Sequence, residues 1–172
     1  MQFKVQPTIG ELTLLNFLNN TLDDSFEVFF NPYLNGDRPD VLIMRKDYGV
    51  MIIEVKDWNL SNFSLNDKKK WAYTPNNAVT KSPIDQVLKY KYNLYDLHVK
   101  DLLKMKIKDY RHFRIVSCAI YFHCASQKCI EDMLVTPYLK DKKYQDFLRY
   151  NIDFIGFDSL CTLSNKSAQL QM

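Results

Sequence analysis

Two carboxylates at the ends of neighbouring apolar runs constrain this chain more than any other feature of its sequence. Asp40 follows Pro39 and opens the apolar run 41–44, whereas Glu54 closes the apolar run 50–53. The segment 45–49 between the runs carries turn residues, so the two runs are predicted to pair as a hairpin. Two neighbouring strands would then bring Asp40 and Glu54 together.

A lysine completes this pattern. Side chains alternate between the two faces of a strand, so Lys56 projects from the same face as Glu54, and Val55 points into the core. Carboxylate, carbonyl and water oxygens are the ligands that Mg²⁺ and Mn²⁺ prefer. We therefore predict a metal site made by Asp40, Glu54 and the backbone carbonyl of Val55, with Lys56 orienting a nucleophile or stabilising charge on a phosphate. Taken alone, such a pattern is more often a set of ordinary polar residues at an exposed strand end.

Gln86 and Tyr90 add to the pattern because they lie four apart in the longest helical segment, which begins at Pro83 after the cap Ser82 and is predicted to end near Met105. The shared side of the helix lies off its apolar stripe. A glutamine amide can hold a phosphate, a base edge or a metal-bound water, and a tyrosine can stack on a base or donate a hydrogen bond. The alternative is an exposed amide beside a partly packed ring.

Glu11 has two interpretations of equal weight. It stands three residues after Thr8, which is the capping-box spacing at the start of a helix predicted over 9–22. It is also a carboxylate that could reach the metal as an additional or water-mediated ligand.

The predicted elements are those of an α/β domain. After the first helix come strands over 26–30, 40–44 and 50–55, a hairpin over 61–65 and 70–73, the long helix, a central strand over 113–123, a helix over 142–150, a strand over 153–157 and a helical turn over 158–163. This order predicts a mixed central β-sheet flanked by helices, in one domain over 1–163. The polar tail 164–172 is interpreted as the start of a linker to a further domain.

The composition favours a globular cytoplasmic protein without a membrane partner. The 172 residues are 47% hydrophobic, the N-terminus lacks an apolar signal core, and no apolar stretch reaches the roughly 20 residues that span a bilayer. Its four cysteines lack a C-x-x-C spacing and are predicted to be free thiols.

The charge distribution is uneven. Between Lys81 and Arg114, nine Lys or Arg stand against four Asp, an excess compatible with phosphate contacts and also with a solvated helix face. Lys81, Lys89 and Tyr90 are the candidate nucleic-acid-binding residues.

Five motifs in this order resemble the nuclease-related domain (NERD), a branch of the PD-(D/E)XK nuclease superfamily. They are Gly10-Glu11, Phe29-Phe30-Asn31, Pro39-Asp40, the segment 49–58 and the segment 82–86. The Gln86 and Tyr90 pair also resembles the Q-x-x-x-Y motif of recombination exonucleases in that superfamily. The resemblance covers about residues 9–95. In NERD branches the first acid commonly occurs in Glu-Ile-Asp or a similar triplet, whereas this chain has Pro39-Asp40.

The resemblance implies a restriction-endonuclease-like fold and a Mg²⁺- or Mn²⁺-dependent deoxyribonuclease. Asp40 and Glu54 would be metal ligands, Lys56 catalytic, Glu11 an auxiliary acid and Gln86 a supporting polar residue. Family members are often the N-terminal part of a DNA-processing protein, so we expect DNA as a partner and a helicase or similar module, in the same or a partner chain, within a repair or defence protein. The sequence has no Walker A loop of its own.

Two other functions remain compatible with the sequence. One is a nucleic-acid-binding module that keeps the fold without cleavage, and the other is a docking domain of a larger enzyme. The residue pattern leaves RNA open as a substrate and an oligomer open as the assembly.

Overall fold

The protein is described by a computed structural model covering residues 5–66, 68–98, 104, 105 and 108–160. Within these residues the helices and strands are α1 (Ile9–Thr21), β1 (Phe26–Phe30), β2 (Val41–Arg45), β3 (Gly49–Lys56), β4 (Phe63–Leu65), β5 (Trp71–Tyr73), β6 (Ala78–Val79), α2 (Pro83–Asn93), β7 (Val116–Phe122), α3 (Gln127–Leu134), α4 (Lys142–Asn151) and β8 (Asp153–Gly156). Short 3₁₀ turns occupy Leu60–Asn62, Tyr110–Arg114 and Thr136–Tyr138.

The main sheet has five strands in the order β1-β2-β3-β7-β8. The first three strands form an antiparallel meander, and β7 and β8 join it in parallel. A parallel neighbour requires a crossover, and α2 lies within the connection from β3 to β7. The predicted α/β class, a mixed central sheet flanked by helices, is confirmed.

Alternating side chains give the sheet two different faces. Leu42, Ile52 and Ile120 belong to the core cluster that contains α2, whereas Val41 and Ile53 belong to the cluster that contains α1. Helix α1 begins where predicted because both hydrogen bonds of the Thr8–Glu11 capping box are formed. The candidate site lies on the face of the sheet that α2 covers.

Several elements differ from the sequence prediction. Helix α3 was not predicted, because only Ile130 and Leu134 are buried in its eight residues and so short a pattern is weak. Strand β6 was not predicted, and it extends the predicted hairpin to a three-stranded sheet. Beyond α2, residues Leu94–His98 continue as a π-helical turn.

Other sequence predictions fall outside the described residues. These are the stretch of the long helix over 99–103, the thiol Cys161, the end of the turn over 158–163 and the tail 164–172. Among the described residues, no helix is both long and apolar enough to cross a membrane.

Candidate active site

The two motif carboxylates meet at one edge of the sheet. Val41 pairs with Ile53, which places Asp40 just before β2 beside the end of β3 that carries Glu54. By strand alternation both side chains lie on the α2 face, since Leu42 and Ile52 point that way. An Asp40 oxygen accepts a 2.7 Å hydrogen bond from the Val55 backbone N–H, and Glu54 is only 1% exposed.

Lys56 lies directly against this pair. Its Nζ atom donates to Oε1 of Glu54 at 2.6 Å and to Oε1 of Gln86 at 3.4 Å. The ammonium also lies 5.5 Å from the centre of the Trp58 ring. These contacts hold the Lys56 ammonium in one place. A group that stabilises the charge developing in a transition state must be held in this way.

Gln86 and Tyr90 connect helix α2 to the loop before Asp40. The Gln86 amide donates to the Tyr90 hydroxyl at 3.1 Å, and that hydroxyl donates to the Arg38 carbonyl at 3.1 Å. The expectation that the core does not explain Tyr90 is wrong, because its ring is buried in the α2 core cluster. Of the two roles considered for this tyrosine, hydrogen bonding is the one that a buried ring leaves available.

One buried oxygen at the site is unsatisfied. With both carboxylates ionised, Oε2 of Glu54 has no hydrogen-bond donor among the described residues. Burial and then the charge of Asp40 raise the pKa of Glu54 to about 7, against the opposing effect of Lys56. Burial also raises the pKa of Asp40 to about 6. Burial and the proximity of the two carboxyl groups therefore favour their protonated forms more than the single positive charge of Lys56 opposes them.

The Val55 carbonyl faces Asp40. In an extended strand the N–H and C=O of one residue point to the same side, and the Val55 N–H points to Asp40. The backbone groups of the next residue, Lys56, point in the opposite direction, towards β7. There the Lys56 carbonyl accepts a hydrogen bond from the backbone N–H of His123. The oxygen predicted from sequence as a backbone ligand therefore lies on the side of the carboxylates.

Glu11 lies in the first turn of α1. Its side chain accepts the Thr8 backbone N–H at 2.6 Å in the capping box, and α1 packs on the face opposite Glu54. Its negative charge still contributes, after larger effects, to raising the pKa of Asp40. The capping-box interpretation is confirmed, and the role of Glu11 as a metal ligand stays a prediction. A group of three or more His, Cys, Asp or Glu residues suited to a metal was not found in the described part of the chain.

The lysines Lys81 and Lys89 differ in their surroundings. Lys89 pairs with the buried Asp37 at 3.0 Å, while Lys81 is exposed just before α2. Asp37 was read from sequence only as part of a turn, yet it also accepts a 2.7 Å hydrogen bond from Asn93. No pattern in the sequence indicates this role, because Asp is common in turns whether or not its side chain binds a helix.

Three of the cysteines lie among the described residues. Cys118, Cys124 and Cys129 are free thiols, and burial raises the pKa of Cys118 to about 12, which makes it a poor nucleophile. Trp58 and Trp71 pack with Phe63 and so support the small sheet.

The sequence profile of the nuclease-related domain, NERD, matches residues 6–123. The chain belongs to this family. The match spans every motif residue from Glu11 to Tyr90 and extends through β7. No match was found among curated proteins.

One solved structure that resembles the chain is that of an EndoMS–dsDNA2 complex. It is 11% identical, with a TM-score of 0.37, and the alignment covers 91% of this chain and 48% of that one. The chain thus spans about half the length of that protein.

Proposed function

We propose that this NERD domain is a metal-dependent deoxyribonuclease that hydrolyses phosphodiester bonds at Asp40, Glu54 and Lys56. The observation that carries the proposal is the unsatisfied, buried Oε2 of Glu54, which lies beside a second carboxylate and a lysine. Two carboxylates gathered in a buried place cost folding free energy unless a ligand compensates them.

The donor set fits Mg²⁺ or Mn²⁺. Asp40, Glu54 and the Val55 carbonyl offer only oxygen atoms, and these ions prefer oxygen and retain several waters, so two carboxylates suffice. When bound, such an ion would supply Lewis acidity to a phosphate and lower the pKa of water.

The remaining residues act by position and charge. Lys56 would place a positive charge beside the reacting phosphate, where charge develops in the transition state. Gln86 restrains the Lys56 ammonium by the 3.4 Å contact, and Tyr90 restrains Gln86. Glu11 is proposed as an auxiliary acid, through its electrostatic effect on Asp40 and as an additional or water-mediated ligand of the ion.

Several parts of the proposal rest on the family alone. They are DNA as the substrate, a larger DNA-repair or defence protein as the context, and a helicase or other DNA-processing module as a partner. Lys81, Lys89 and the Tyr90 hydroxyl are proposed to contact nucleic acid, and the cytoplasm is the proposed location.

The test is cleavage by the purified chain. Linear and circular DNA are incubated with Mg²⁺, with Mn²⁺ or with EDTA, next to the Glu54→Gln variant. We expect cleavage by the wild-type protein only with a metal, and none by the variant. Binding to DNA without cleavage under every condition would instead support a non-cleaving nucleic-acid-binding module.

A further inference from the structure

A cavity of about 550 Å³ opens beside the candidate active site. Gln86 and Tyr90, which connect Lys56 to helix α2, form part of its wall. The small sheet contributes Trp71 and Val79, and α4 contributes Tyr144 and Phe147. The cavity therefore extends from beside the sheet edge that carries Asp40 and Glu54 to the small sheet and α4. Neither of these two elements takes part in the proposed reaction.

The cavity wall is strongly basic. Five lysines and a single carboxylate, Asp85, line it; the lysines are Lys68, Lys69, Lys70, Lys81 and Lys89. Lys69 and Lys89 are held by Asp141 and Asp37 respectively. The other three are exposed and make no ion pair with any described residue. Such a wall attracts anions, and it attracts several anionic groups better than one.

Aromatic groups accompany these charges. Tyr144 and Phe147 are stacked on each other, and the Lys69 ammonium lies 3.8 Å from the centre of the Tyr144 ring. The indole N–H of Trp71, a residue only 1% exposed, has no acceptor among the described residues. Lysines interleaved with aromatic rings are the combination that binds single-stranded nucleic acid, since the charges follow the phosphates and the rings contact bases.

We propose that this cavity binds the single-stranded segment next to the phosphodiester that is cut. The inference rests on the proposed nuclease function and adds to it the form of the substrate. A volume of 550 Å³ lies within the range of about 300–1,000 Å³ of small-ligand pockets. It admits one or two nucleotides of a strand.

The experiment compares two charge reversals of equal size. Lys68→Glu/Lys70→Glu alters the cavity wall. Lys46→Glu/Arg114→Glu is the matched control, because both residues are exposed at the opposite end of the sheet, in the β2–β3 turn and just before β7. Binding of a fluorescein-labelled dT12 oligonucleotide and of a blunt hairpin duplex is measured by anisotropy in EDTA, over a series of salt concentrations.

We expect the cavity variant to bind dT12 at least about tenfold more weakly, and its plot of log affinity against log salt to be shallower by about 1.4, since each phosphate contact on a single strand contributes about 0.7. The control variant should bind like the wild-type protein. Equal losses in the two variants, or wild-type binding to the duplex that is as tight as to dT12, would overturn the proposal.

A second measurement separates this inference from the proposed function. Hydrolysis of bis(p-nitrophenyl) phosphate with Mn²⁺ tests the catalytic edge on a diester too small to need the cavity. The cavity variant should hydrolyse it at the wild-type rate. If the wild-type protein does not hydrolyse it, the proposed nuclease function fails, while the dT12 result still decides whether the cavity binds a single strand.

Discussion

Two buried carboxylates of this protein, Asp37 and Glu54, each pair with a lysine, and they differ in what their second oxygen meets. Asp37 accepts from Lys89 through one oxygen and from Asn93 through the other. Glu54 accepts from Lys56 through Oε1, while Oε2 has no donor among the described residues and Asp40 lies alongside. Burial and an ion pair are common to both, so neither property identifies a functional residue.

The difference lies in hydrogen-bond satisfaction. A buried carboxylate whose oxygens are both bonded joins two parts of a fold, and Asp37 does this between the loop before β2 and helix α2. A buried carboxylate that lacks a hydrogen-bond donor and lies beside a like charge lowers the free energy of unfolding. Ligand binding is the better explanation for the presence of such a residue. The predictions below test this contrast.

Replacing Glu54 by Gln should have the largest effect. The change keeps the side-chain shape and removes the charge required to hold a divalent cation, so we expect DNA cleavage to fall by at least about 10³-fold, equal to about 4 kcal/mol of lost transition-state stabilisation. The free energy of unfolding should not fall in metal-free buffer, because the repulsion from Asp40 is removed. Cleavage rates and urea unfolding measure the two quantities, and residual activity near the wild-type level would contradict the assignment.

Replacing Lys56 by Met should reduce cleavage by about 10²-fold, because a positive charge next to the phosphate is lost while the apolar stem is kept. Lys56 lowers the pKa of Glu54, so its removal should raise that pKa further. The acidic limb of the pH–rate profile should then move to higher pH. A slower enzyme with an unmoved acidic limb would show that Lys56 does not act on Glu54.

The stability of the metal-free protein should decrease as pH rises. Folding raises the pKa of Asp40 from 3.8 to about 6 and that of Glu54 from 4.5 to about 7, so across this range the folded protein binds more protons than the unfolded chain. The free energy of unfolding therefore falls between about pH 4 and pH 7, by on the order of a few kcal/mol, and levels off above. Urea unfolding in EDTA at pH 5 and pH 8 measures the change.

The Glu54→Gln variant provides the reference for this pH effect. It lacks one titrating carboxyl group and the charge that raises the pKa of the other, so its stability should depend less on pH. Mg²⁺ added at pH 8 should raise the midpoint of the wild-type protein and leave that of the variant unchanged. A wild-type-to-variant difference that stays constant from pH 5 to pH 8 would refute the linkage.

Replacing Asp37 by Asn makes the same chemical change at the satisfied carboxylate. We expect a loss of stability of about 1–2 kcal/mol, since the hydrogen bonds to Lys89 and Asn93 weaken and Lys89 is largely exposed. Cleavage of bis(p-nitrophenyl) phosphate should stay within about threefold of wild type. If the loss of activity matches that of Glu54→Gln, the distinction between the two carboxylates fails.

The fold was predictable where local pattern and core agree. Thr8 with Glu11, and Ser82 with Pro83, mark helix starts by the chemistry of the first turn, and the alternation around Glu54 places Lys56 and Val55 on opposite faces. The position of Glu11 relative to the site was not predictable, because it depends on which face of the sheet α1 covers. The role of Asp37 depends on its contacts with Lys89 and Asn93, which lie 52 and 56 positions further along the chain. No local sequence pattern indicates such contacts.

Replacing Tyr90 by Phe should have the smallest effect on stability. The ring is packed in the core and remains, while the hydroxyl that joins Gln86 to the Arg38 carbonyl is lost. Losing these hydrogen bonds should cost about 1 kcal/mol, and cleavage should fall by about three- to tenfold as Gln86 restrains Lys56 less well. Tyr95→Phe is the matched control, because its hydroxyl donates to the His112 carbonyl away from Gln86. A decline in activity shared equally by both variants would show that the Tyr90 hydroxyl acts through stability alone, whereas a decline confined to Tyr90→Phe would extend the site from the two carboxylates to the loop before β2.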